Sequence, residues 1–281
     1  MNYDHLYHAG NHADVLKHLA LIALIKALSQ KPTPWCYIDT HAGGGIYDLS
    51  QLSRLTTPEY KSGVRQLILS TDEKPALCTE YLQLVNSVNA DEHLRFYPGS
   101  TYFVRQLARE QDRLIACELK HSAYESLKHT FARDKKVAVH YEDGYLGLKA
   151  FVPPKEKRGL VLIDPPYEQE DDWKQVIVSL KHALSRWQTG HYLVWYPIKE
   201  RSHVMGWLRK LRSNIDNEIL IMEMCPYEAS SDYLHGSGLA LINPVWKFDD
   251  QFRSVLNWVW NTLSVKKQGY CRLLSIDSVL K

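Results

Sequence analysis

Ten residues, Gly159-Leu160-Val161-Leu162-Ile163-Asp164-Pro165-Pro166-Tyr167-Glu168, constrain this chain more than any other stretch. Leu160 to Ile163 is a short, continuous, β-prone apolar run, the pattern of a strand buried on both faces. Two prolines follow Asp164 at once, and proline cannot continue a central strand because it lacks the ladder N–H. The chain therefore delivers a carboxylate, two stiff residues and an aromatic ring at a strand's C-terminal end. In open α/β sheets that is where ligands bind.

Chemistry can use this arrangement. The exocyclic amine of adenine is a poor nucleophile, because its lone pair is delocalised into the ring. Asp164 can accept a hydrogen bond from one amine hydrogen, and the carbonyl of Pro165 can accept the other. Those two acceptors would hold the lone pair toward an incoming methyl group. Tyr167 offers a ring on which an extruded base can stack, an interaction worth about 1–3 kcal/mol per base. The bland alternative is a strand-ending turn with no chemistry, which would suffice for Asp-Pro alone. Asp-Pro-Pro-Tyr straight after a buried strand favours the functional reading. The tetrapeptide resembles the signature of amino-group methyltransferases that use S-adenosylmethionine.

The remaining composition narrows the class. With 281 residues, 45% of them apolar, one large α/β domain or a domain with an insertion is expected. A net charge of +2 is compatible with a nucleic-acid partner without arguing for one. The five cysteines, Cys36, Cys78, Cys117, Cys225 and Cys271, are scattered and form no CxxC pair. That pattern reads as reduced thiols in the cytoplasm, without a disulfide framework or a metal site. Met1-Asn2-Tyr3-Asp4-His5 is polar and unlike a signal peptide. The apolar stretch 19–28 is too short to span a membrane.

Taken in order, the chain first shows a helical pattern from about Asn11 to Ser29, with Val15, Leu16, Leu19, Ile22 and Ala23 on its packed face. His8 and His12 stand four apart, but no glutamate follows the first, so the pattern is not HExxH. From the residues alone, they read as partly exposed histidines at a polar helix start. Trp35–Asp39 predicts the first strand, running into Thr40-His41-Ala42-Gly43-Gly44-Gly45, where glycines allow close approach of a ligand to the backbone. Residues 46 to about 100 interrupt the alternation and read as an inserted, mostly helical subdomain, in which Arg54, Lys61 and Arg65 face either phosphates or solvent. Arg113–Glu118 predicts a second strand ended by an acid, the residue type that grips ribose hydroxyls in dinucleotide folds. Lys136–Gly144 predicts a third, ending in Asp143, which could accept from an adenine amine or cap the helix Tyr145–Phe151. After the central strand come a helix at Glu170–Arg186, a strand at His191–Tyr196, a helix at Ser202–Arg212, and strands at Ile219–Met224 and Leu239–Ile242. The polar loop Ala229–Gly238 suits a lid. Asn243-Pro244-Val245-Trp246 looks like a second clamp but reads as a strand terminator. Phe252–Leu263 predicts a closing helix.

The order of these elements resembles the class I S-adenosylmethionine-dependent methyltransferase fold. That implies a Rossmann-like, seven-stranded, mostly parallel α/β sheet with a C-terminal antiparallel hairpin and a small helical insertion. A longer set of motifs narrows the resemblance. It comprises Tyr-His-Ala-Gly-Asn-His-Ala-Asp-Val-Leu-Lys-His (Tyr7–His18), Asp-Thr-His-Ala-Gly (39–43), Tyr-Pro-Gly-Ser (97–100), Glu118, Glu-Asp-Gly (142–144), Asp-Pro-Pro-Tyr-Glu (164–168) and His-Gly-Ser-Gly-Leu (235–239). Together they resemble the ribosomal RNA large subunit methyltransferase J family over essentially the whole chain. The resemblance implies N6-methylation of one adenosine in 23S ribosomal RNA by a monomeric cytoplasmic enzyme. It implies cofactor contacts from His18, His41, Ser100, Glu118, Asp143, Gly144 and Asp164, and no metal. It implies catalytic roles for Asp164, Pro165 and Tyr167, and an RNA contact from Tyr3. It also moves His18 from a polar helix start to the cofactor. The competing readings are a DNA adenine methyltransferase, a catalytically dead RNA-binding module, and a methyltransferase for glutamine or small amines.

Overall fold

The computed structural model describes residues 5–52, 57–90, 93–228, 234–264 and 267–281. Tyr3, Arg54 and the 229–233 part of the suggested lid lie outside the described residues. The first half contains α1 (His5–His8), α2 (His12–Ser29), β1 (Cys36–Asp39), β2 (Ile46–Asp48), α3 (Val64–Leu69), α4 (Ala76–Asn86), β3 (Phe96–Pro98), α5 (Ser100–Leu107), β4 (Arg113–Glu118), α6 (His121–Thr130), β5 (Val137–Tyr141) and α7 (Gly144–Phe151). The second half contains β6 (Gly159–Ile163), α8 (Glu170–Arg186), β7 (His191–Ile198), α9 (Arg201–Asn214), β8 (Ile219–Cys225), β9 (Gly236–Ile242), α10 (Phe248–Leu263), β10 (Tyr270–Ser275) and α11 (Ile276–Val279).

The main sheet runs in the order β10-β8-β9-β7-β6-β1-β4-β5. From β5 to β7 the neighbours are parallel, and β9 then runs antiparallel to both β7 and β8. This is the expected Rossmann-like α/β arrangement. All five residues of β6 are buried, as its unbroken apolar run predicts. Alternate strand residues feed two cores. Leu160 and Leu162 face the core that holds α2, α5 and α10, whereas Val161 and Ile163 face the one that holds α7, α8 and α9. The order of pairing puts β6 in the middle, so its C-terminal tip opens between the tips of β1 and β7.

Helix α2 departs from the one-sided pattern. It lies between the sheet and α4, α5 and α10, and it is buried from His12 to Ile22 without a break. The reading of partly exposed histidines is thereby corrected for His12 and His18, which are 4% and 1% exposed. Its start is fixed by Asn11, whose side-chain oxygen accepts from the N–H groups of Ala13 and Asp14, both at 2.9 Å. The Asn11 amide also donates to Glu59 at 2.8 Å, tying the helix start to the segment before α3.

The expected seven strands become eight among the described residues. The extra strand, β10, is short and half-exposed, so it carries no periodic apolar signal. What holds it is polar. Glu223 of β8 is fully buried, and it faces Arg272 across the β10–β8 ladder. Its carboxylate accepts from Arg272 Nε at 2.8 Å, the Tyr270 hydroxyl at 2.9 Å, the Tyr196 hydroxyl at 2.9 Å and Arg201 Nη1 at 2.8 Å. A small antiparallel ribbon, β2 with β3, was also hidden within the 46–100 stretch. Asn243 does terminate its strand: its amide donates to the carbonyls of Gln188 and Gly190 at 2.8 and 2.7 Å, at the start of β7 and therefore away from the tip of β6. Replacing Glu223 by alanine should cost about 3–5 kcal/mol, because two tyrosines and two arginines lose a desolvated acceptor. Calorimetry should then show melting lowered by roughly 10 °C; an unchanged melting temperature would refute the role given to this carboxylate.

Candidate active site

Asp164 leaves the tip of β6 and meets a partner from the far end of the sequence. Lys17 Nζ, on α2, stands 2.5 Å from Asp164 Oδ2. The same ammonium stands 2.7 Å from Asp14 Oδ1, one helical turn back. The side chains of Asp14, Lys17 and Asp164 are 4%, 4% and 7% exposed. Burial pulls the lysine toward its neutral form, but the two carboxylates outweigh it and hold its pKa well above the ordinary value. Burial also pushes Asp14 upward, and Lys17 overcomes that, leaving Asp14 well below the usual carboxylate range. Beyond Asp14 lies the ring of His5, with Nε2 at 3.7 Å from Oδ1. His5 in turn stacks on Tyr47 at a centroid separation of 5.1 Å.

Pro165 is buried, and Tyr167 adopts a left-handed backbone conformation with φ of 51°. That conformation is unusual for a non-glycine residue. The ring of Tyr167 is held from two sides. Its hydroxyl donates to the carbonyl of Trp195 at 2.7 Å, and its centroid lies 4.4 Å from Trp173 and 5.7 Å from Trp195. A groove between α8 and α9, lined by Trp173, Lys174, His203 and Trp207, flanks this ring rather than the carboxylate.

The glycine loop after β1 sits beside the tip of β6, with Thr40 N–H donating to the Leu162 carbonyl at 3.1 Å. Gly43 has φ of 65°, and a Cβ there would meet the Tyr47 hydroxyl at 2.0 Å. Tyr47 thus fills part of the space that the glycines open. Glu118 closes the loop: its carboxylate accepts from the N–H groups of Gly43 at 2.8 Å and Lys120 at 2.7 Å. Asp143 caps α7, accepting from Tyr145 N–H at 2.7 Å and Leu146 N–H at 3.3 Å. The capping alternative is therefore realised, and it places Asp143 on the same rim. Gly144 packs so closely that a Cβ would lie 1.9 Å from the Thr40 carbonyl oxygen.

Ser100, 6% exposed, donates to Asp39 Oδ2 at 2.5 Å, beside hydroxyls of Tyr37 at 2.8 Å and Thr101 at 3.1 Å. Burial raises the pKa of Asp39 in spite of these donors. His18 Nδ1 pairs with the Tyr97 hydroxyl at 2.8 Å, and that hydroxyl lies 3.0 Å from the Tyr81 hydroxyl. His18 Nε2 is buried and has no hydrogen-bond partner among the described residues. Burial drives His18 down to about 3 and His41 down to about 4, so both rings are neutral. His41 Nδ1 lies 2.8 Å from the Thr40 hydroxyl. The structure thus sets residues from β1, β4, α2, α5, α7 and β6 around one end of the sheet.

The sequence from residue 32 to 275 matches the family model described as ribosomal RNA large subunit methyltransferase D, RlmJ. The chain belongs to this family. Two curated relatives, both named ribosomal RNA large subunit methyltransferase J, come from Escherichia coli (strain K12) and Haemophilus influenzae. They are 39% and 38% identical to this chain, each over 96% of both chains. A crystal structure of protein LPL1258 from Legionella pneumophila superposes with a TM-score of 0.86 at 36% identity, covering 95% of this chain and 97% of that one. A probable spermidine synthase from Corynebacterium glutamicum shares the fold alone, at a TM-score of 0.50 and 9% identity. The fold is the Rossmann-like, mostly parallel α/β arrangement expected from the sequence.

Two residues escaped the sequence reading of the site. Lys17 and Asp14 stand on a helix whose other faces are apolar, and opposite charges at i and i+3 there are a detectable signal. The partner of Lys17 lies 147 residues away, which no local pattern reveals. The buried histidines supply a pH test. Burial holds His12 near 4, His18 near 3 and His41 near 4, against about 6.5 in the unfolded chain. As pH falls below 6.5, the unfolded chain takes up protons that the native rings refuse, so stability drops by up to about 1.4 kcal/mol per pH unit for each ring. Burial pulls His8 down but Glu59 outweighs it and raises the ring, so His8 acts in the opposite sense, as one partly exposed group. The urea midpoint should fall steadily from pH 7 to pH 5, and a flat profile would contradict the neutral-histidine assignment.

Proposed function

We propose that the protein transfers a methyl group from S-adenosylmethionine to N6 of one adenosine in 23S ribosomal RNA. The observation that carries this reading is the Asp164 carboxylate, set at the tip of a fully buried strand, followed by two prolines and gripped by Lys17. Membership of the family, whose curated relatives are named as large-subunit ribosomal RNA methyltransferases, supports the RNA substrate. The cofactor's sulfonium would supply an electrophilic methyl group.

The residues present fit such a cofactor. Glu118 ends β4 with a carboxylate suited to ribose hydroxyls. Asp143 and Gly144 form the rim beside it, where an adenine amine can be accepted. The unpartnered, buried Nε2 of neutral His18 can donate to the carboxylate of the amino-acid moiety. Ser100, which donates to Asp39 at the end of β1, and His41, two residues past that strand's end, would complete the cradle.

The target adenine leaves its stack to reach the carboxylate, as base-modifying enzymes require. Asp164 Oδ2 is committed to Lys17, so Oδ1 accepts one N6 hydrogen and the Pro165 carbonyl accepts the other. This turns the nitrogen lone pair toward the methyl group. Tyr167, fixed through Trp195 and Trp173, offers the stacking face. The amine proton would leave only after the methyl arrives, to Asp164 Oδ1 or to water. Tyr3 contacts the RNA. The protein acts as a monomer in the cytoplasm; separately, no helix among the described residues is long and apolar enough to cross a membrane.

Tritiated methyl transfer to protein-free 23S rRNA, assembled subunits and DNA, with the product nucleoside identified, tests the reading. N6-methyladenosine in rRNA is expected, and label confined to DNA would overturn it. Asp164→Ala should lower turnover by about a hundredfold or more, the scale seen when one transition-state partner is removed. It should retain S-adenosylhomocysteine binding, since that product carries no charge at sulfur. Full turnover in this variant would refute the role of Asp164.

A further inference from the structure

We propose that Asp14 acts as an electrostatic positioning residue, giving the buried cluster the net negative charge that favours a sulfonium-bearing methyl donor over its neutral demethylated product. The inference rests on the methyl-transfer reading above and concerns a residue that reading does not use. Asp14 and Asp164 contribute two negative charges, and Lys17 one positive charge, in a cluster whose side chains are at most 7% exposed. One cation serves two anions, and the sum is −1.

That excess is unusual. Lysine needs a single carboxylate to stay charged when buried, and an uncompensated buried charge is costly. Among the described residues, no arginine and no second lysine reaches ion-pair distance of either carboxylate. The ring of His5 approaches Asp14 from the outside at 3.7 Å, and its side chain is 21% exposed. His18, close enough to Asp14 to feel its charge, and His41, close enough to feel that of Asp164, are neutral through burial. The cluster therefore suits a cation brought by a ligand.

In-line transfer would place sulfur, methyl carbon and amine nitrogen on one line, with Asp164 accepting from the amine. The C–S bond breaks as the C–N bond forms, the sulfur keeps the electron pair, and its positive charge disappears. The attraction of the cluster for sulfur then ends. Asp14 adds to the attraction for the reactant cofactor and contributes nothing to holding the product. Its second oxygen has a separate duty: Oδ2 accepts from Gly10 N–H at 3.0 Å and helps hold the turn before α2.

The test is isothermal titration calorimetry of the full chain with S-adenosylmethionine and with S-adenosylhomocysteine at pH 8. Asp14→Asn should reduce the ratio of the two affinities by about tenfold, the scale of one unit charge acting at several ångströms inside a protein. Lys17→Gln removes the cation, and even where one buried carboxyl then takes up a proton the cluster stays at −1, so that ratio should remain at or above the wild-type value. A purely structural role for Asp14 would instead weaken both ligands in step, and an unchanged ratio in Asp14→Asn would overturn the proposal. Should Asp14→Asn fail to fold, a tenfold fall of the ratio in Lys17→Gln overturns it equally. Wild-type protein that binds neither ligand would overturn the methyl-transfer reading itself, and this inference with it.

Discussion

The ion pair between Lys17 and Asp164 is the contact on which the rest of the site depends. It joins a helix near the start of the chain to the tip of the central strand, across 147 residues of sequence. Without a cation there, Asp164 would be a nearly buried carboxylate facing the second carboxylate of Asp14. With it, the orientation of Asp164 is set by a rigid element rather than by the loop that follows. Such a pair is a matter of positioning more than of net stability, because desolvation offsets much of the attraction.

That constraint explains why so much of the fold is spent on α2. A lysine can be held dry and charged only if its helix cannot move. The helix is clamped by the sheet on one side and by α4, α5 and α10 on the other. Its start is capped by Asn11, and Asn11 is tied to Glu59, which also pairs with His8 at 3.0 Å. The residues between β2 and β3 thus reach the site indirectly, through the helix they secure. Tyr81, on α4, does the same for His18 by way of Tyr97.

Much of this was legible from residue patterns. The apolar run of β6, the two prolines and the acid-ended strands β4 and β5 follow from short-range rules, and each element falls close to its expected place. The resemblance of the motifs to one family pointed to His18 and Ser100, which periodicity alone would leave as an ordinary helix residue and a turn. What stayed hidden is long-range and polar. Strand β10 is held by Glu223 and carries no apolar alternation. The ribbon of β2 and β3 is too short for a period to register. Lys17 looked like one charged residue among several until α2 proved to be buried almost all round.

The most direct measurement is a crystal structure of the protein with S-adenosylhomocysteine and adenosine monophosphate. The account predicts the adenine N6 within hydrogen-bonding distance of Asp164 Oδ1 and of the Pro165 carbonyl, the ring against Tyr167, and Lys17 still on Oδ2. A base bound elsewhere, with Asp164 facing only Lys17, would contradict it.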